Sequence, residues 1–299
     1  AISVSASIFA YQLFDLYKFL FASLVILLYV GVMDDIVVMR AYKKLLAQVV
    51  VSALLVIGSD VRIRSLFGVF GVYELNYFLS VIFSIVTFII LVNAYILIDG
   101  IDGLAGVYGV ICFSLFGISY YRLGEYNYPL VILSTTIIGT VIGFLYYNLS
   151  DRSKKIFMGD TGSMLLGFLL TFTSICFMDI FIVKKVQGAV FYHLNTAPVM
   201  AIAIMILPII DTLNVITIRL AEKRSPFDAD KNHIHHKLLK LGITHKRATL
   251  YIISYYLFIV IISYFLRHVE VNLLLIIILL LGFLGAYLPD FFYKRKINN

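Results

Sequence analysis

The sequence predicts an all-α fold, a polytopic transmembrane helical bundle of about ten spans. Three observations predict it. Of 299 residues, 62% are hydrophobic and only 14% charged, and the mean hydropathy is +0.99. The apolar residues fall in continuous runs near the ~20 residues a helix needs to cross the hydrocarbon core. These runs do not alternate residue by residue as the strands of a membrane barrel do.

Ten segments can be marked off, at 1–14, 17–33, 45–61, 76–98, 104–121, 128–147, 163–183, 195–217, 249–267 and 271–290. Ala1 opens inside the first run, so a further N-terminal span is expected ahead of it. Cys112 and Cys176 lie within apolar runs and read as small hydrophobes rather than as a disulfide or metal pair. The polar stretches are too short for a second domain. The whole chain, 1–299, reads as one integral membrane domain.

Alternating connections sort the loops into two sets. One holds 34–44, 99–103, 148–162, 219–247 and the tail from Lys294, and it carries 17 of the 24 Lys and Arg. The other set carries 7. By the positive-inside rule the first set faces the cytoplasm, with the protein multi-pass in the cell inner membrane. The net charge of +7 is then chiefly a topology signal. The bases are spread along membrane edges, so no nucleic-acid partner is expected.

Unusual polar stretches gather on the cytoplasmic side. "GVMDDIVVMRAYKKLLAQ" brings Asp34, Asp35, Lys43 and Lys44; "NAYILIDGIDGLAGV" brings Asn93, Asp99 and Asp102. "KKIFMGDTGSMLLG" brings Asp160 at a helix start, and "SPFDADKNHIHHKLLKLG" brings His233, His235 and His236. Each alone has a plainer explanation. An Asp before a helix can be a cap, "DGIDG" can be a turn, and three histidines can be a solvated face. Five carboxylates returning to one membrane face are harder to dismiss, because ionisable groups at membrane depth are costly and functional.

Carboxylates without cysteine ligands suit a hard cation, Mg²⁺ or alternatively Mn²⁺, and such a metal arrives with phosphate oxygens. Lysine and histidine neutralise phosphate charge, and the helix start at Asp160 offers N–H donors to an anion. These are parts for phosphoryl transfer at a membrane surface. A His-x-His-His zinc site is the local competitor.

The blocks occur in a fixed order: "MDD" with Lys44 and Gln48, "NAY…DGIDGLAG", "KIFMGDTGS", Pro208 with Asp211, then "SPF..D..HIHH..L..G". In that order the chain resembles the polyprenyl-phosphate N-acetylhexosamine-1-phosphate transferases, related to the phospho-MurNAc-pentapeptide translocases. The "HIHH" form resembles the branch using UDP-N-acetylglucosamine or a related UDP-sugar.

The resemblance implies a Mg²⁺-dependent reaction between a UDP-N-acetylhexosamine and a polyprenyl phosphate. The lipid phosphate attacks the sugar-linked phosphorus, giving lipid-diphosphate-sugar and UMP. It implies Asp160 as a metal ligand, with Asp34 shared between metal and lipid phosphate and supported by Asp35 and Lys44. Asp99, Asp102 and Phe157 would line the uridine pocket, with Asn93 nearby and Asn148 matching the family's asparagine. His233, His235 and His236 would hold phosphate oxygens, assisted by Arg219 or Lys231.

Two other classes compete. Buried carboxylates also serve ion-coupled transporters, and Ile96, where the family usually has a second asparagine, suits an inactive relative acting as a binding subunit. Gly139 with Gly143 has the small-residue spacing that would permit a homodimer.

Overall fold

The computed structural model describes residues 14–37, 39–150, 154–183, 196–225 and 232–298. The first expected segment, apart from Phe14, and Lys231 lie outside the described residues. The helices are α1 (Phe14–Val37), α2 (Ala41–Gly58), α3 (Tyr77–Ile98), α4 (Leu104–Arg122), α5 (Tyr128–Asn148) and α6 (Gly159–Val183). They continue as α7 (Ala197–Ile204), α8 (Ile206–Ala221), α9 (Ile234–Lys240), α10 (His245–Phe265) and α11 (Val271–Asn298). Eight of them are long and apolar enough to cross a membrane, and the protein is a multi-pass membrane protein. Large apolar side chains such as Tyr29, Ile36, Phe78 and Leu280 remain on the outside, as lipid-facing positions require.

Two features depart from the expected pattern. The run 195–217 is two helices, α7 and α8, bent by 75° at Met205. Between α2 and α3 stands an antiparallel hairpin, β1 (Ser65–Val69) with β2 (Val72–Glu74). Arg64 anchors its stem to the far end of α6 through both oxygens of Asp179, at 2.6 and 2.8 Å.

α6 is the axis of the bundle, buried along most of its length and packed by α1 and α3. α1 crosses its start closely: a Cβ at Gly31 would lie 2.6 Å from the Thr161 Cα. Only glycine permits that approach, and one turn later α1 presents Asp34 and Asp35 to the start of α6. On α5, a Cβ at Gly139 or Gly143 meets nothing within 4 Å, so that face is open.

Candidate active site

Four polar stretches predicted to share a face do meet at one end of the bundle. The centre is an acid–base–acid contact. Lys44, in the first turn of α2, places its ammonium 2.5 Å from Asp34 Oδ2 and 2.5 Å from Asp160 Oδ2. Asp34 is buried, and its other oxygen accepts from the Met39 N–H at 2.6 Å.

Asp35 is spent differently. It accepts from Asp160 N (3.0 Å), Thr161 N (3.3 Å) and Thr161 Oγ1 (2.5 Å). A helix start leaves its first N–H groups unpaired, and a carboxylate from α1 caps them. This corrects the expectation that the N–H donors at Asp160 and Thr161 stand ready for a phosphate. They already hold an anion, and the favourable dipole end of α6 is used to lock α1 and α6 together.

The second cluster is built on the loop after α3. Asp102 receives Lys155 Nζ at 2.6 Å and His245 Nδ1 at 3.3 Å, while Lys155 lies 5.3 Å from the Phe157 ring centre. Phe157 is otherwise exposed, so its ring can be reached by a ligand. Asn148 is buried. Its oxygen accepts from Gly103 N (2.8 Å) and its amide donates to the Ile156 carbonyl (2.9 Å), so it ties together the two loops bearing Asp102 and Phe157.

Asn93 exchanges two amide hydrogen bonds with Gln48, at 2.7 and 3.3 Å, and donates to the Ile89 carbonyl. Asp99 stands between the clusters. Burial, then the charges of Asp160 and Asp102, push its carboxyl up to about 7.

The third cluster is the histidine-bearing turn. Asp211, buried in α8, takes His233 Nδ1 at 2.9 Å and the Ile234 N–H at 2.8 Å. A carboxylate behind Nδ1 fixes the ring and leaves Nε2 as its remaining polar atom. Burial pushes the His235 imidazole down to about 4, against the opposing pull of Asp211. It is therefore neutral near pH 7 and offers a hydrogen bond rather than a charge. Its Nε2 is buried without a hydrogen-bond partner among the described residues, over Gly100, where an added Cβ would collide with it. His236 packs on His235 with ring centres 4.2 Å apart. Arg219 is buried in the last turn of α8.

Several site residues have no role that the sequence alone assigns. Asp211 and Gln48 are within its motifs, and a lone acid in an apolar run was the available signal for Asp211. Nothing local marks Lys155 as the partner of Asp102, nor His245. Asn214, one turn beyond Asp211, is fully buried with both amide atoms unpartnered among the described residues.

Asp34 and Asp160 converge on a single point already held by a cation, the Lys44 ammonium. Two hard oxygen donors suit magnesium, which binds through one or two carboxylates and completes its shell with water and phosphate oxygens. Among the described residues no group of three or more His, Cys, Asp or Glu could hold a metal unaided.

Beside the histidines lies an apolar cavity of about 430 Å³. It is lined among others by Ile210 of α8, Ile234 and Leu238 of α9, Tyr255 of α10 and Leu288 of α11.

The sequence model of the family described as glycosyl transferase family 4 matches residues 17–178. A decaprenyl-phosphate N-acetylglucosaminephosphotransferase of Mycolicibacterium smegmatis is 32% identical over 244 residues, 79% of this chain and 59% of that protein. An undecaprenyl-phosphate alpha-N-acetylglucosaminyl 1-phosphate transferase of Yersinia pestis is 31% identical over 228 residues, covering 75% and 58%. Its Escherichia coli K12 namesake is 29% identical over 230 residues, also covering 75% and 58%. The chain thus spans less than two thirds of the length of these relatives.

Proposed function

The chain belongs to glycosyl transferase family 4, and on that premise we propose that it transfers N-acetylglucosamine-1-phosphate from a UDP-sugar to a polyprenyl phosphate, releasing UMP. The observation that carries this reading is the meeting of Asp34, Lys44 and Asp160 at 2.5 Å beside Asp99 and the Asp102 cluster. A diphosphate needs cations and fixed donors around it, and a nucleoside needs a polar wall with an aromatic face. Both are at one end of this bundle.

In the reaction, an oxygen of the lipid phosphate attacks the sugar-linked phosphorus. The bond from that phosphorus to the bridging oxygen breaks, and the electron pair leaves on UMP. A lipid phosphate is already ionised near neutrality, so Asp34 need only orient it. Asp34 and Asp160 would hold the Mg²⁺, which when bound neutralises charge building on the diphosphate oxygens.

Lys44 keeps the two acids together and adds positive charge. His233, braced by Asp211, would hold a phosphate oxygen through Nε2, and His235 would contribute the neutral hydrogen bond its orphaned Nε2 lacks. Lys155, Asp102 and Phe157 would grip the nucleoside. The apolar cavity beside α9 would receive part of the prenyl chain, the one ligand portion with no polar atoms.

The site-bearing end faces the cytoplasm of a cell inner membrane in this proposal, as the Lys and Arg bias favours. The open Gly139 and Gly143 face would let two copies pair.

Membranes carrying the full-length protein, given labelled UDP-N-acetylglucosamine, Mg²⁺ and polyprenyl phosphate, should form a lipid-soluble labelled product and UMP. No product with any UDP-N-acetylhexosamine overturns the proposal in favour of a binding subunit. Solute uptake into vesicles without lipid acceptor overturns it in favour of a transporter.

A further inference from the structure

The bend between α7 and α8 is made by sequence and then repaired by side chains distant along the chain. Pro208 has no N–H, and its ring crowds the carbonyl four residues back in a helix. That carbonyl belongs to Ile204, the last residue of α7, and the chain turns by 75° just after it. The Ile204 oxygen is left inside a membrane bundle without its helical donor, a costly state for a backbone group.

Three side chains replace the lost N–H. Tyr108 OH donates to the Ile204 oxygen at 3.0 Å and Tyr256 OH at 3.1 Å, and Cys112 Sγ lies 3.4 Å away. Cys112 Sγ is also 3.3 Å from Tyr256 OH. With one proton on each group, both tyrosines donate to the carbonyl, and the thiol donates either to it or to the Tyr256 oxygen. Tyr108 and Cys112 are fully buried and Tyr256 is 2% exposed, so water does not compete. The Tyr108 and Tyr256 rings meet edge-on at 5.0 Å.

The donors come from site-bearing helices. α4, with Tyr108 and Cys112, starts at the end of the Asp99–Gly103 loop. α10, with Tyr256, starts beside Asp102, where Thr249 Oγ1 donates to the Asp102 carbonyl at 3.0 Å. Beyond the bend, α8 carries Asp211 to His233. One carbonyl therefore joins the nucleoside end of the site to the histidine end.

We propose that Tyr108 and Tyr256 are positioning residues for the transfer reaction: by holding the Ile204 carbonyl they fix the angle of α8, and so the place where Asp211 presents His233. This rests on the transferase reading above.

The test uses the full-length protein with Tyr108→Phe, Tyr256→Phe and both together. Tyr120→Phe is the matched control, because that buried hydroxyl donates to the Thr173 carbonyl, away from the bend. The double variant should lose about tenfold or more in kcat with KM for the UDP-sugar changed less than about twofold, as expected when a group is displaced without losing ground-state contacts. Tyr120→Phe should keep its kcat. Spin labels at the exposed positions Leu220 of α8 and Ile142 of α5 should show a shifted or broadened distance in the double variant only.

An unchanged kcat and an unchanged distance in the double variant overturn the proposal. So does an equal loss in Tyr120→Phe. Should the double variant fail to accumulate, the single variants carry the same test with smaller effects. A wild-type protein that makes no product overturns the transferase reading and the catalytic part of this proposal with it. The label distance still decides separately whether the hydroxyls hold the bend.

Discussion

Lys44 Nζ lies 2.5 Å from a carboxylate oxygen of Asp160, 116 residues further along the chain, and equally close to Asp34. Two acids drawn to one ammonium make a place where a second cation and a diphosphate could be received together.

Lys44→Met leaves Asp34 and Asp160 facing each other without their shared counter-charge. Turnover should fall ~10²-fold or more, the usual size of losing one fixed charge stabiliser. Labelled-lipid formation by purified protein measures it; a variant within threefold of wild type would remove Lys44 from the reacting centre.

Asp211→Asn should lower turnover about 10- to 100-fold, by analogy with the loss of a carboxylate behind a metal-bound histidine. His233→Ala in the same background should add little, since the two act as a unit. Fully additive losses in this double-mutant cycle would separate Asp211 from His233.

Much of this arrangement was legible in the sequence, for definable reasons. Spans follow from unbroken apolar runs, and the shared end of the polar loops from their alternation along the chain. Asp34, Asp99, Asp102 and Asp160 stood out because acids beside membrane segments are rare. What could not be read is tertiary. Asp35 reads as a second acid of a pair, yet it caps a helix that begins over a hundred residues later. The Lys155–Asp102 pair joins two loops whose relative placement depends on Asn148. The bend lies at Met205, whereas its cause, Pro208, sits three residues on and inside an apolar run that looks continuous. The hairpin at Ser65–Glu74 falls in a stretch read only as a connection.

Asp99 makes stability depend on pH in a defined direction. Its carboxyl is raised from 3.8 to about 7, by burial first and then by Asp160 and Asp102. The folded chain therefore keeps a proton that the unfolded chain has released. Stability falls as pH rises from about 4 through about 7, and the loss is complete above that. The melting temperature of metal-free protein in detergent should drop across this window, and Asp99→Asn should flatten the drop. Parallel profiles for the two would place the Asp99 carboxyl at its ordinary value.

Asn148→Ala strands the Gly103 N–H and the Ile156 carbonyl. The buried Gly103 N–H left unpaired costs about 1–3 kcal/mol, while the carbonyl of the exposed Ile156 can turn to water. The variant should therefore be destabilised by about 1–3 kcal/mol, read as a lower midpoint in thermal unfolding. A midpoint equal to wild type would show that water or a neighbour replaces both bonds.

Asp34 and Asp160 are proposed to form one cation site completed by a nucleotide diphosphate. Mn²⁺ titration followed by electron paramagnetic resonance, with a UDP-sugar present, measures that site. Saturable binding is expected for wild type, greatly weakened in Asp160→Asn and in Asp34→Asn. Unaltered Mn²⁺ affinity in both variants, or no UDP-sugar-dependent binding by the wild-type protein, would contradict it.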